Sequence, residues 1–157
     1  MDASERPHVT AERALDGAWL SFDLPVMLKR IKAEETWRSS SRNAMTLMKS
    51  RGQRIVLIAM HGKTEIPMHR ADGQLSLQVI EGSLRVHTDA QAITLGKGEL
   101  LALHAEIPHA IEAMRESAFL LTLSTETVHP AETEATSAAI NGETTMPSAD
   151  GGTTPCH

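Results

Sequence analysis

Between positions 43 and 125 the apolar residues fall into short runs separated by turn formers. The runs are Asn43–Lys49, Arg54–Met60, Glu65–His69, Leu75–Ile80, Ser83–Thr88, Gln91–Leu95, Glu99–Leu103, Pro108–Met114 and Phe119–Thr125. Between them stand Arg51-Gly52, His61-Gly62, Ala71-Asp72-Gly73, Glu81-Gly82 and Gly96-Lys97-Gly98, all of turn-forming composition. Short extended runs at this spacing predict an all-β domain, a small antiparallel barrel. Ile55 to Ile58 are four consecutive apolar residues, so that strand is expected to be buried on both faces.

A different period precedes the barrel. Leu24, Met27, Leu28 and Ile31 recur at helical spacing, which predicts one helix over about 23–36 with an apolar face packed on the barrel. Asp23 is suited to its N-cap and Pro25 to its first turn. Trp37 is expected as a plug against the barrel wall, and Ser39-Ser40-Ser41 ends the pattern. The flanks lack periodicity. Residues 1–17 read as a disordered arm, 18–125 as the domain, and 126–157, rich in Thr, Ala, Ser, Glu, Gly and Pro, as a disordered tail.

Composition narrows the function classes. The net charge is −5 and no basic patch is evident, so nucleic acid is not expected as a partner. Aromatic residues are 3% of the chain, which leaves little for stacking bases or sugars. One cysteine, Cys156, cannot form an internal disulfide. No apolar run is long enough to span a membrane, and Met1 to Pro7 shows no signal core, so a cytoplasmic protein is expected. No P-loop, dinucleotide fingerprint, Gly-x-Ser-x-Gly or helical His-Glu-x-x-His occurs.

Candidate chemistry gathers on two histidines, His69, which ends one expected strand, and His109, which opens another. Around them the chain resembles the small single-domain cupins, of the RmlC-like jelly-roll type and an uncharacterised bacterial subgroup. Gly62 to Gly82 resembles the first cupin motif, with Val79-Ile80-Glu81-Gly82 at its close. Gly98-Glu99 and Ile107-Pro108-His109 resemble the start and end of the second. The resemblance covers roughly 43–124 and implies a jelly-roll barrel with a ligand or metal in its mouth. The first motif departs from the family pattern. Leu75 holds the glutamate position, Met68 and Arg70 hold the two histidine positions, and His69 lies between them, one residue out of register. Strict alternation would turn His69 away from the mouth unless a bulge or the following turn rotated it inward.

The ligand-binding set expected from sequence is therefore His69, His109, Gln78 and Arg70, with Arg70 as a carboxylate clamp. His69 and His109 are the candidate ligands for a divalent Zn, Fe, Mn or Ni ion. His104 is the leading reserve donor, and Glu99 and Glu106 are further ones. A tight transition-metal site needs three or four convergent donors, so two histidines alone predict weak metal binding. The leading expectation is a module that binds a small molecule in the barrel mouth. A metal-dependent dioxygenase, isomerase or lyase is the alternative, and an oligomeric sensor with a vestigial cavity a third. A homodimer is the expected assembly, because small barrels expose strand edges.

Overall fold

The computed structural model describes residues 15–125. The expected tail at 126–157, with His129, Cys156 and His157, and most of the arm at 1–17 lie outside these residues. The described part holds nine strands: β1 (Arg42–Lys49), β2 (Gln53–Met60), β3 (Glu65–His69), β4 (Gln74–Glu81), β5 (Ser83–Thr88), β6 (Ala92–Gly96), β7 (Leu100–Leu103), β8 (His109–Ala113) and β9 (Ser117–Ser124). They match the apolar runs in order and nearly in extent.

All pairings are antiparallel and form two sheets. One has the order β1-β2-β9-β4-β7, the other β3-β8-β5-β6. Short turns join β2 to β3, β4 to β5, β6 to β7 and β8 to β9, each crossing from one sheet to the other at the same end of the barrel. This is the closed end. Gly82 makes the tightest of these turns, at φ +81°, where a Cβ would overlap Ser117 Oγ and the Glu116 carbonyl oxygen. At the opposite end the crossings are 70–73 and 104–108, and Glu106 N–H ties them by donating to the Ala71 carbonyl at 3.1 Å. This end is the mouth.

The core has two layers. Ile58, Met60, Leu77, Val79, Leu84, Val86, Ile111 and Phe119 fill the space between the sheets. Leu57, Ala59 and Ala118, on the outer face of the first sheet, pack with Leu28, Ile31 and Trp37. The unbroken apolar run of β2 is thus explained: even positions face the barrel and odd positions face the helical layer.

That layer is α1 (Leu24–Ala33) followed by α2 (Glu35–Ser39). The Asp23 side chain accepts from Val26 N–H at 3.1 Å, as the N-cap reading requires. The single expected helix over 23–36 is interrupted at Glu34, whose backbone is extended at ψ 152°. Buried Asn43 donates from Nδ2 to the Ile31 carbonyl and to Glu34 Oε2, which satisfies the helix end at the break. The interruption seats Trp37 on the sheet, where its ring stacks on His61 at 3.7 Å.

Lys32 fastens α1 to the closed end. Its Nζ lies 2.6 Å from Glu116 Oε1 and 3.3 Å from Glu81 Oε2. Burial opposes its charge, but the hydrogen bonds and charges of Glu116 and Glu81 outweigh this and raise its pKa above the ordinary lysine value. A raised folded pKa gives stabilisation that is complete below the unfolded value, about 10.4, and is lost as pH rises through the folded one. Lys32→Met is therefore expected to destabilise by on the order of 1 kcal/mol at pH 7. The difference from wild type should shrink above about pH 10.5. Denaturant unfolding of both proteins at pH 7 and pH 11 checks this; an unchanged difference at pH 11 would assign it to lost packing.

Candidate functional site

The mouth is built from the strand ends. β3 pairs with β8 as Glu65↔Glu112 and Ile66↔Ile111, and then the register slips so that His69 faces His109. Pro67 and Met68 form the bulge. Proline has no N–H to give to a ladder and is tolerated at such positions. Ile66 and Ile111 pack in the barrel core. The extra residue restores His69 to their face, level with His109. The two rings lie 4.3 Å apart, tilted by 58°. His109 is 1% exposed, whereas His69 lies open at the rim.

Both imidazoles are held in the same way. His69 Nδ1 donates to the Pro67 carbonyl at 2.8 Å, and His109 Nδ1 donates to the Ile107 carbonyl at 2.9 Å. Carbonyl oxygens only accept, so each Nδ1 carries the proton and each neutral ring has an unprotonated Nε2. Thr88 pairs with His109 on its other side. The second sheet therefore presents a row His69, His109, Thr88 at the mouth.

The first sheet presents an opposing row. Leu103 pairs with Leu75, Leu75 with Leu123, Leu123 with Arg54, and Arg54 with Lys49. Leu75 alternates with the core residues Leu77 and Val79. Arg54 alternates with Val56 and Ile58, which also pack in the barrel core. Its Nη2 donates to Thr46 Oγ1 at 3.1 Å, and Thr46 pairs with Val56. Arg54 thus has the inward parity of its strand and stands, solvent-exposed, at the rim end of a row of leucines. Sequence alone does not orient it, because Ile55 to Ile58 are apolar on both faces and give no alternation.

Other expected site residues fall elsewhere. Gln78 alternates with Leu77 and Val79 and pairs with Leu120, which packs against the helical layer. Gln78 therefore stands on the outer face of the sheet, not in the mouth. His104 follows the end of β7 and lines a depression of about 200 Å³ with Gln74, Leu75, Ser76, Ala102, Leu103, Thr122 and Ser124. It is not brought to the histidine pair. Arg70 is exposed just past the end of β3. Glu99 serves a turn by accepting from Gly96 N–H at 2.6 Å. His87 is on the outer face of the second sheet, 3.1 Å from Glu112.

No protein-family model matches the sequence, and no curated protein matches it. Solved structures do match. A cupin superfamily protein from Desulfitobacterium hafniense superposes with a TM-score of 0.60 at 20% identity, over 73% of this chain and 100% of that one. A cupin-2 domain containing protein from Shewanella frigidimarina superposes with a TM-score of 0.54 at 18% identity, over 66% of this chain and 93% of that one. An RmlC-like cupin from the same organism gives 0.52 at 17% identity, over 56% and 79%. The chain has the cupin fold.

On this fold the chain carries a sparse donor set at the mouth. Leu75, at the position of the first-motif glutamate, is one of the leucines of the mouth. His104 lies just past the end of β7. Among the described residues no three His, Cys, Asp or Glu side chains are grouped to hold a metal ion. Two imidazoles without a carboxylate do not fit a tightly held ion. No helix among the described residues is long and apolar enough to cross a membrane.

Proposed function

We propose that this cupin is a binding module that takes a small organic molecule at the barrel mouth, with His69 and His109 as its polar anchors. The observation that carries this reading is the bulge at Pro67 and Met68. It spends a residue of β3 on placing a second imidazole beside the first, with both Nδ1 atoms tied to backbone and both Nε2 atoms unengaged. Below this level the barrel is packed with apolar side chains, so the ligand lies across the mouth and not deep within.

The shared tautomer also supports a second reading, since metal-bound histidines are commonly oriented by a hydrogen bond at the other ring nitrogen. A divalent ion would be held by two protein nitrogens only, weakly, and the ligand would have to complete its coordination.

The test is a ligand-observed NMR survey of the full chain with small alcohols, amides, sugars, carboxylates and phosphates, and with Zn²⁺ alone. At least one organic class should bind. His69→Ala and His109→Ala should each weaken it about tenfold, the loss of one good hydrogen bond. No organic ligand for a natively folded protein would overturn the proposal. Zinc binding lost in both variants, without any organic ligand, would favour the metal reading.

A further inference from the structure

We infer that the molecule taken at this mouth is a small monocarboxylate with an apolar body, anchored by Arg54; this rests on the mouth being the binding site.

The first observation is placement. The bond to Thr46 Oγ1 ties the exposed guanidinium to β1 at the rim of the mouth and uses one of its five N–H donors. The remaining donors keep the planar fork that matches a carboxylate. β3 is joined to β2 by the short turn 61–64, so His69 stands on the strand that crosses over from Arg54's own.

The second observation is uncompensated charge. Among the described residues no carboxylate is within ion-pair distance of Arg54. Its cross-strand partner is Lys49, another cation, and like charges directly opposite one another are destabilising. From Lys49 to Arg54 the chain carries three cations and no acid, although the whole protein has a net charge of −5. A bound anion relieves this local repulsion.

The third observation is what adjoins the cation. Leu123, Leu75 and Leu103 continue the row from Arg54 across the sheet, one strand apart, at about 4.8 Å per step. A carboxylate seated on Arg54 lays its hydrocarbon along these leucines, beneath the imidazoles. Phosphate could meet the same guanidinium, but its remaining oxygens would be desolvated against the leucines.

The test is calorimetric titration of the full chain with hexanoate, acetate, hexan-1-ol and inorganic phosphate, with the ring signals of His69 and His109 followed by NMR. Hexanoate should bind at least tenfold more tightly than the other three and shift both rings. Arg54→Gln should weaken hexanoate about tenfold or more and leave hexan-1-ol unchanged. Arg54→Lys should recover part of the loss, and Arg70→Gln should weaken hexanoate less than Arg54→Gln does. Unchanged hexanoate affinity in Arg54→Gln would overturn the assignment of Arg54. Equal binding of hexanoate and hexan-1-ol, with both rings shifted, would overturn the carboxylate while leaving the mouth as a binding site. Absence of hexanoate binding would overturn the carboxylate as well, and ring shifts with any other class would show that the mouth still binds. Tighter binding of phosphate than hexanoate would overturn the apolar body.

Discussion

Replacing Phe119 by alanine lowers the stability of this domain by about 3–5 kcal/mol, the range for aromatic truncation in a rigid core. Phe119 is 0% exposed and lies in the central strand of the five-stranded sheet, where it packs between the two sheets. It is one of two phenylalanines in the chain, and tyrosine is absent. The neighbours that would have to collapse into the void, Ile58, Val79 and Ile111, are fixed by strand backbones on both sides. Native domains are stable by only about 5–15 kcal/mol, so this loss is a large fraction of the whole. Urea unfolding of wild type, Phe119→Ala and Phe119→Leu checks it. The leucine variant keeps much of the volume and should retain most of the stability. A loss below 1 kcal/mol for Phe119→Ala would mean that the wall relaxes into the space.

The second large effect is expected at the closed end. Gly82→Ala puts a Cβ where Ser117 Oγ and the Glu116 carbonyl now lie, on a backbone at φ +81°. A non-glycine residue in this backbone region costs about 1–3 kcal/mol, and overpacking adds a similar amount. Ser117 cannot simply step aside. Its hydroxyl accepts from Ser83 N–H at 3.0 Å and has one proton to donate, to the Arg115 carbonyl at 2.7 Å or to the Ser83 carbonyl at 3.0 Å, so moving it breaks the junction of β4, β5 and β9. Thermal unfolding should show a marked fall in Tm. Gly98→Ala is the control, because its φ is also positive, +85°, but nothing lies within 4 Å of its Cβ position. Equal losses in the two variants would leave backbone strain as the whole effect.

The contrast between what sequence could and could not specify follows from the range of the forces. Strand positions were legible because alternation and turn residues are local. The face of Gln78 is legible too, since Leu75, Leu77 and Val79 fix the parity of its strand, and that parity turns it away from the mouth where the ligand-binding set would place it. The break at Glu34 was not legible, because the buried Asn43 that satisfies the helix end comes from the next element. His69 depended on a bulge, which is a relation between two strands; Pro67 was the only local hint. Arg54 was hidden by a strand apolar on both faces.

The position of β9 bears on how the chain reaches this fold. Among the described residues it is the last strand in sequence and the middle one in its sheet, paired with β2 on one side and β4 on the other. Until it is in place, those two strands each present an open, apolar edge. The nascent chain therefore cannot complete its barrel piecemeal as it leaves the ribosome. Closure waits for the final strand, and the rate is governed by long-range pairing of the slow kind. Exposed edges during that wait invite association with other chains. Yield in cells should accordingly respond more to growth temperature and chaperone supply than the stability of the finished fold would suggest.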